Sequence, residues 1–344
     1  MTLNTLPTAL IVAGPTASGK SALALWLAQQ FDGVVINADS MQVYRELRIV
    51  TARPSLAEER TAPHTLYGIR PAALAGSVAW WRETALAEMC AAHAANKLPI
   101  LCGGTGLYFA SLTQGLADIP PPSEVARQEA RALLAADGPE ALHARLTLID
   151  PVTAARLHPS DGQRLARAFE VWRSTGRGLA EWQAEPARPV PWNFAAIQLD
   201  PPRDALRPAI AARFGAMLEH GALAEIDTLL SLNLDASLPA MRAHGVPELA
   251  AHIRGDISLA EATSLIELAT ARYTKRQTTW MRHHSLAENH RSYMIHARFL
   301  DFTQFSEREN RELTNFIQSL CLTPRSIQPI PSLSAPTRQK KDES

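Results

Sequence analysis

Eight residues constrain this chain more than any others. Gly14-Pro15-Thr16-Ala17-Ser18-Gly19-Lys20-Ser21 satisfies GxxxxGK[ST]. An apolar run at 8–13 precedes the pattern, and Ala22, Leu23, Leu25, Trp26, Leu27 and Ala28 follow it with helical spacing. It therefore stands between strand and helix, the context that gives it a mechanism. The glycines let the loop turn tightly, so that its N–H groups and the helix N-terminus converge on a di- or triphosphate. Lys20 is expected to neutralise phosphate oxygens, and the Ser21 hydroxyl to ligate Mg2+.

Two further apolar runs, 33–38 and 98–102, flank an Ala-rich helical segment at 78–95. Strands that are apolar throughout and alternate with helices indicate a parallel sheet covered on both faces. The fold expected is α/β, a P-loop NTPase-like parallel sheet core with a helical insertion domain and a helical C-terminal part. The texture changes after Gly115: Ile119-Pro120-Pro121-Pro122-Ser123 reads as a stiff linker, and 124–181 is Ala/Leu/Arg/Glu-rich with helical periodicity. An apolar run at 194–199 reads as a strand returning to the sheet, and 205–299 as mostly helical. The organisation expected is a core from 1–115 and 190–300, an insertion at 120–189, and a disordered tail at 324–344.

Composition narrows the class. The chain has 344 residues, with 34 basic and 34 acidic side chains, and no apolar run near the roughly 20 residues that span a bilayer. Met1 to Pro7 carries no basic, apolar or small-residue features of a secretory signal, so export is not expected. Cys90, Cys102 and Cys321 are too few and too far apart for a disulfide framework or paired metal ligands. They read as reduced, mostly buried thiols of a cytoplasmic protein with no membrane association. Zero net charge neither suggests nor excludes nucleic acid, since a binding patch is local. The run 272–298 is such a patch: Arg272, Lys275, Arg276, Arg282, Arg291 and Arg298, interleaved with Tyr273, Trp280 and Tyr293, against Glu288 alone.

The strand endings bear on the reaction. Most P-loops hold ATP or GTP beside a strand that ends in a metal-holding Asp. Here the strand at 98–102 ends in Gly103-Gly104-Thr105, and the strand at 33–38 ends in Asp39-Ser40. Both loops are expected at the P-loop end of the sheet. A carboxylate and a hydroxyl facing a diphosphate suit a transfer in which Asp39 takes a proton from a nucleophile while Thr105 donates to the departing oxygen. A nucleoside or small-molecule kinase using ATP on the same core is the alternative.

Together these blocks resemble a family. GPTASGKS at 14–21, ADSMQVYR at 38–45, Ala62-Pro63-His64 and GGTGLY at 103–108 are similar to the tRNA dimethylallyltransferases, or tRNA isopentenyltransferases. HPSDGQRLARAFEV at 158–171, ARFGAMLEHGALAEI at 212–226 and KRQTTWMR at 275–282 follow in the same order, so the resemblance covers about residues 8 to 285. It implies transfer of the dimethylallyl group of dimethylallyl diphosphate to N6 of the adenosine 3′ to the anticodon, position 37, in tRNAs reading codons that begin with U. The products are N6-(dimethylallyl)adenosine and diphosphate. By resemblance, Asp39 is the general base on N6 and Thr105 meets the bridging oxygen. Gly14, Pro15, Thr16, Ala17, Ser18, Gly19, Lys20, Ser21 and Arg213 bind the diphosphate, with Mg2+ at Ser21. Asp39, Ser40, Met41, Gln42 and Thr105 are expected to touch the target adenosine. Arg127, Gln163, Arg164, Leu165, Ala166 and Arg167, with Arg242, Lys275, Arg276 and Arg282, are expected on the tRNA, which a monomer would bind. The family commonly has an aromatic and a basic residue where this chain has Val246 and Pro247, between Gly245 and Glu248. Cys321 alone cannot build the zinc finger of eukaryotic relatives, so the bacterial type fits better.

Overall fold

The computed structural model describes residues 6–320; Cys321 and the tail at 324–344 lie outside them. The chain opens with β1 (Thr8–Ala13), α1 (Lys20–Gln30), β2 (Gly33–Asn37), α2 (Leu56–Thr61) and β3 (His64–Thr65). Then come α3 (Val78–Ala94), β4 (Leu98–Gly103) and α4 (Gly106–Thr113). Four helices follow, α5 (Glu124–Ile149), α6 (Pro151–Ala154), α7 (Gly162–Thr175) and α8 (Leu179–Ala184). The chain returns through β5 (Asn193–Leu199), α9 (Arg203–Glu219), α10 (Ala222–Ser231), α11 (Val246–Ile253), α12 (Leu259–His283), β6 (Ser292–Ile295) and α13 (Glu307–Ser319).

Two compact units result. One combines the described residues up to Ala110 with those from Pro191 onward; the other is Ser111–Val190. The first is built on six strands in the order β3-β2-β4-β1-β5-β6, every neighbouring pair parallel. β1, β2, β4 and β5 are buried almost throughout, as strands covered on both faces must be. Leu23 and Leu27 of α1 pack with Leu10, Val12, Ile100 and Ile197 of the sheet, each fully buried, and each large aliphatic side chain contributes about 1.5–3 kcal/mol by leaving water. No helix of the described residues is long and apolar enough to cross a membrane.

The second unit has its own core. Ala130, Leu142 and Leu146 of α5 pack against Leu165, Ala168 and Phe169 of α7. α5 is kinked at Gly138, whose φ of 80° lies in the left-handed region, followed by Pro139. Ser123 caps α5 through the Ala126 N–H, so the proline-rich stretch ends where the helix starts.

The structure adds to the sequence pattern at two places and corrects it at one. The stretch 205–299 contains a strand, β6, which extends the sheet beyond β5; only Ile295 in it is buried, too weak a pattern to read as a strand. α13 carries a weak apolar pattern, because only Leu313 and Ile317 of its thirteen residues are buried. Cys90 is exposed on α3, whereas Cys102 is buried in β4 as expected.

Candidate active site

The strand order assembles the site. β4 lies between β1 and β2, so in a parallel sheet the Gly103-Gly104-Thr105 loop must emerge between the P-loop and the Asp39 loop. The junctions are tight. A Cβ on Gly103 would overlap the Ala38 carbonyl, so glycine is what lets β4 pass that close to β2. The Thr105 N–H donates to the Ala38 carbonyl at 3.2 Å, and the Ser40 N–H donates to Thr105 Oγ1 at 3.0 Å.

The P-loop is held from behind. Gly19 has φ 90°, and a Cβ there would overlap the Phe299 carbonyl. The Phe299 N–H donates to the Ser18 carbonyl at 2.8 Å, and Arg298 Nε to the Ala17 carbonyl at 2.8 Å. Lys20 is buried, its ammonium 3.3 Å from the Pro15 carbonyl. Burial pushes the Lys20 pKa down, and the Asp39 carboxylate is the main group opposing that shift. Ser21 follows at the start of α1 with its side chain exposed. Cys102, beneath the loop, has its thiol pushed up to about 11 by burial and stays protonated.

Asp39 is held by a buried amide that sequence reading passed over. Asn37 Nδ2 donates to the Asp39 and Leu66 carbonyls at 3.0 and 3.1 Å, and Asn37 Oδ1 accepts the Asp39 N–H at 2.8 Å. Asp39 Oδ1 accepts the Met41 N–H at 2.9 Å, so Oδ2 is the atom available to a substrate proton. The fully buried Trp81 donates to the Asn37 carbonyl at 2.8 Å and stacks on Tyr108 at 4.2 Å.

Asp39, Ser40 and Met41 line a cavity of about 220 Å3 together with Arg213 and Tyr273. Burial pushes the Arg213 pKa down while Asp39 opposes it. Arg213 also donates to the Thr51 carbonyl at 3.3 Å. Val50, Ile210, Phe214, Met217 and Ile266 give the same cavity an apolar lining. Tyr273, whose hydroxyl burial pushes up, hydrogen-bonds Thr105 and Gln277. Gln277 is 4% exposed and had no assigned role, although it belongs to the block at 275–282.

The residues expected on tRNA divide. In the insertion unit, Gln163 and Arg164 of α7 are exposed. Arg127 and Arg167 both act on the half-buried Glu170 carboxyl, so two segments far apart in sequence form one patch. Leu165 is a correction: it is fully buried in that unit's core, because the helical period turns it inward while Arg164 points out. In the sheet unit, Lys275, Arg276 and Arg242 are exposed. Gln42 spends its amide on the Thr51 and Ala52 carbonyls at 2.8 and 3.0 Å. Arg282 forms a bidentate pair with Asp200. Arg291 and Arg298 donate to carbonyls of Phe194 and Ala17. Tyr293 packs on Phe316. The basic run is thus no uniform surface, since α12 ends at His283 and the remainder is tied into the sheet unit.

The departure at 246–247 has a structural frame. Gly245 has φ 98° at the start of α11, and its N–H donates to Glu248 at 3.1 Å. Gly245 and Glu248 therefore fix a helix start. Val246 is buried, and the exposed Pro247 lies in the first turn, where no N–H is needed.

Comparison with known proteins places this geometry. The family model described as IPP transferase matches residues 42–284, and that of isopentenyl transferase residues 7–67. The chain is 59% identical over 312 residues to a tRNA dimethylallyltransferase of Granulibacter bethesdensis, covering 90% of this chain and 98% of that one. A tRNA dimethylallyltransferase of Rhodospirillum rubrum is 51% identical over 91% of this chain and 95% of its own. Among solved structures, a tRNA isopentenylpyrophosphate transferase of Bacillus halodurans is similar with a TM-score of 0.63 and 32% identity, covering 91% of this chain and 96% of that one. A eukaryotic dimethylallyltransferase described as acting on tRNA is similar with a TM-score of 0.72 and 25% identity, covering 91% and 80%.

Proposed function

The chain belongs to the IPP transferase family, and on that premise we propose that it transfers a dimethylallyl group from dimethylallyl diphosphate to N6 of the adenosine 3′ to the anticodon of tRNA. One observation carries the reading: Asp39 and Arg213 line one cavity together with Thr16 of the P-loop, and Val50, Ile210, Phe214, Met217 and Ile266 give that cavity an apolar lining. A prenyl diphosphate needs that combination, an anion site joined to a surface for a short hydrocarbon. A kinase acting on a polar acceptor does not.

The N6 lone pair attacks C1 of the dimethylallyl group as the C1–O bond breaks. The bonding electrons leave on the bridging oxygen, and the N6 proton goes to Asp39 Oδ2. Negative charge builds on the departing diphosphate, so the donors facing it decide the rate. Thr105 is arranged for this role. Its oxygen accepts the Ser40 N–H at 3.0 Å, and its own hydrogen makes only a long contact to Ser40 Oγ at 3.4 Å, which it can exchange for the bridging oxygen. Lys20 and Arg213 supply positive charge, and the desolvation that depresses both pKa values strengthens their pull on an anion.

Mg2+ suits the donors present. The Ser21 hydroxyl, which hydrogen-bonds Cys102, offers one oxygen beside the loop, and Mg2+ is commonly held by one or two protein groups plus substrate phosphates and water. No cluster of three His, Cys, Asp or Glu occurs among the described residues, so binding there would depend on the diphosphate. Bound, the ion supplies charge neutralisation to the leaving group.

For tRNA, Gln163, Arg164, Arg127 and Arg167 of the insertion unit, and Lys275, Arg276 and Arg242 of the sheet unit, offer phosphate contacts. Reaching N6 requires the base to leave its stack and enter the cavity. A label-transfer experiment tests the proposal. Full-length protein, Mg2+ and unmodified tRNA receive radiolabelled dimethylallyl diphosphate in one reaction and γ-labelled ATP in another. Prenyl label entering tRNA is expected; phosphate release from ATP alone would return the chain to the kinases.

A further inference from the structure

We infer that Gln277 limits the P-loop to two phosphates and couples that loop to Thr105, an inference that rests on the diphosphate reading above. A P-loop binds anions by presenting unpaired N–H groups. Here the Thr16 N–H is already taken: it donates to Gln277 Oε1 at 2.9 Å, and the Thr16 hydroxyl lies 3.3 Å from the same oxygen. The other end of the amide, Nε2, donates to the Gly104 carbonyl at 3.1 Å. The orientation is forced, since a backbone N–H only donates and a carbonyl only accepts. A Cβ on Gly104 would overlap Nε2, so the glycine makes room for the amide.

Two consequences follow. Thr16 lines the cavity, yet its N–H is replaced there by the lone pairs of an amide oxygen. A diphosphate can be satisfied by the later loop amides at the start of α1, by Lys20 and by Arg213. A third phosphate would have to use the Thr16 side of the loop and would meet an acceptor instead of a donor. Gln277 also bridges the P-loop and the loop of Thr105, whose side chain it reaches again through the Tyr273 hydroxyl. It is a positioning residue, joining the anion site to the donor for the leaving oxygen.

Calorimetry on the full chain with Mg2+ tests this, using inorganic diphosphate and inorganic tripolyphosphate as probes. The unaltered protein should bind diphosphate at least about tenfold more tightly, the cost of leaving one charged acceptor unmatched. Gln277→Ala frees the Thr16 N–H, so the gap should close to within about threefold, while kcat falls about tenfold as Thr105 loses its tether. Gln277→Glu keeps an oxygen against Thr16 but adds a negative charge and loses the donor to the Gly104 carbonyl, so the gap should widen by at least about threefold. An unaltered protein without discrimination, a gap unchanged in Gln277→Ala, or a gap unchanged or narrowed in Gln277→Glu would each overturn the inference. Should Gln277→Ala fail to fold, the Gln277→Glu result decides alone. Neither probe requires prenyl transfer, so absence of label in tRNA would refute the proposed reaction and leave this selectivity measurement standing.

Discussion

Glu225, on α10, touches no substrate group, yet its removal should reach the anion site. Its carboxylate accepts three consecutive N–H groups: Arg48 at 2.8 Å, Ile49 at 2.7 Å and Val50 at 2.9 Å. These bonds pin the segment that ends at Thr51, whose carbonyl accepts from both Arg213 and Gln42. Val50 and Thr51 are themselves part of the cavity wall. A hydrogen bond to a charged group contributes about 1.5–3 kcal/mol when buried. Glu225 is only half-buried, so water replaces part of each bond, and about 1 kcal/mol apiece is the better estimate. Glu225→Ala should therefore cost the sheet unit about 3 kcal/mol and lower its melting temperature by roughly 6 °C. Glu225→Gln retains one oxygen and should lose about half as much. With the Thr51 carbonyl released, Arg213 loses a fixed partner, so KM for dimethylallyl diphosphate should rise several-fold while kcat changes less. Differential scanning calorimetry and steady-state kinetics on the same preparations read both effects. A melting temperature within about 1 °C of the unaltered protein, with KM unchanged, would show that the loop needs no carboxylate and would refute the chain from Glu225 to Arg213.

Other outcomes follow from single groups. Asp39→Asn keeps an oxygen for the Met41 N–H but cannot take a proton; tRNA affinity should persist while kcat falls by about 10² to 10⁴, and unchanged turnover would remove Asp39 from the base role. Arg164→Ala and Arg167→Ala should weaken tRNA binding and reduce the slope of log K against log salt by nearly one each, about 0.7 to 0.9. A filter-binding series showing the native slope would place α7 away from RNA. His244 concerns pH: burial, and then Arg276, push its imidazole below the ordinary 6.5, against Glu248 and Asp39. The folded ring therefore binds fewer protons than the unfolded one, and its contribution to stability is full above 6.5 and lost as pH falls through the folded value. His244→Asn should flatten part of the loss in melting temperature between about pH 7 and pH 5; curves that stay parallel would contradict that sign.

What the sequence disclosed depended on where each signal lay. The P-loop, Asp39 and Thr105 stand at the ends of strands that are apolar from start to finish, so strand and catalytic loop announce each other in a few adjacent residues. β6 announces nothing, because an edge strand needs pairing on one side only and buries a single residue here. α13 left a local trace that went unread, since Ser306 and Glu309 form a capping box ahead of it. Gln277 is the most instructive case. Its partner Thr16 lies 261 residues away, a separation no local pattern encodes. Yet Ala262, Ile266, Thr274, Gln277 and Met281 are all buried along one stripe of α12. A helix that places an amide on the stripe it buries must give that amide partners, because an unpaired buried amide costs about 1–3 kcal/mol. The interruption of the stripe was therefore legible as a demand for hydrogen bonds, although the identity of the loops that meet it was not. The same stripe carries Ile266 and Thr270 into the cavity wall, and Lys275 and Arg276 are exposed, Arg276 with its guanidinium over the ring of Tyr273, another residue of that wall. The basic block thus serves the site twice, through the Arg276 charge beside Tyr273 and through the buried face that carries Gln277.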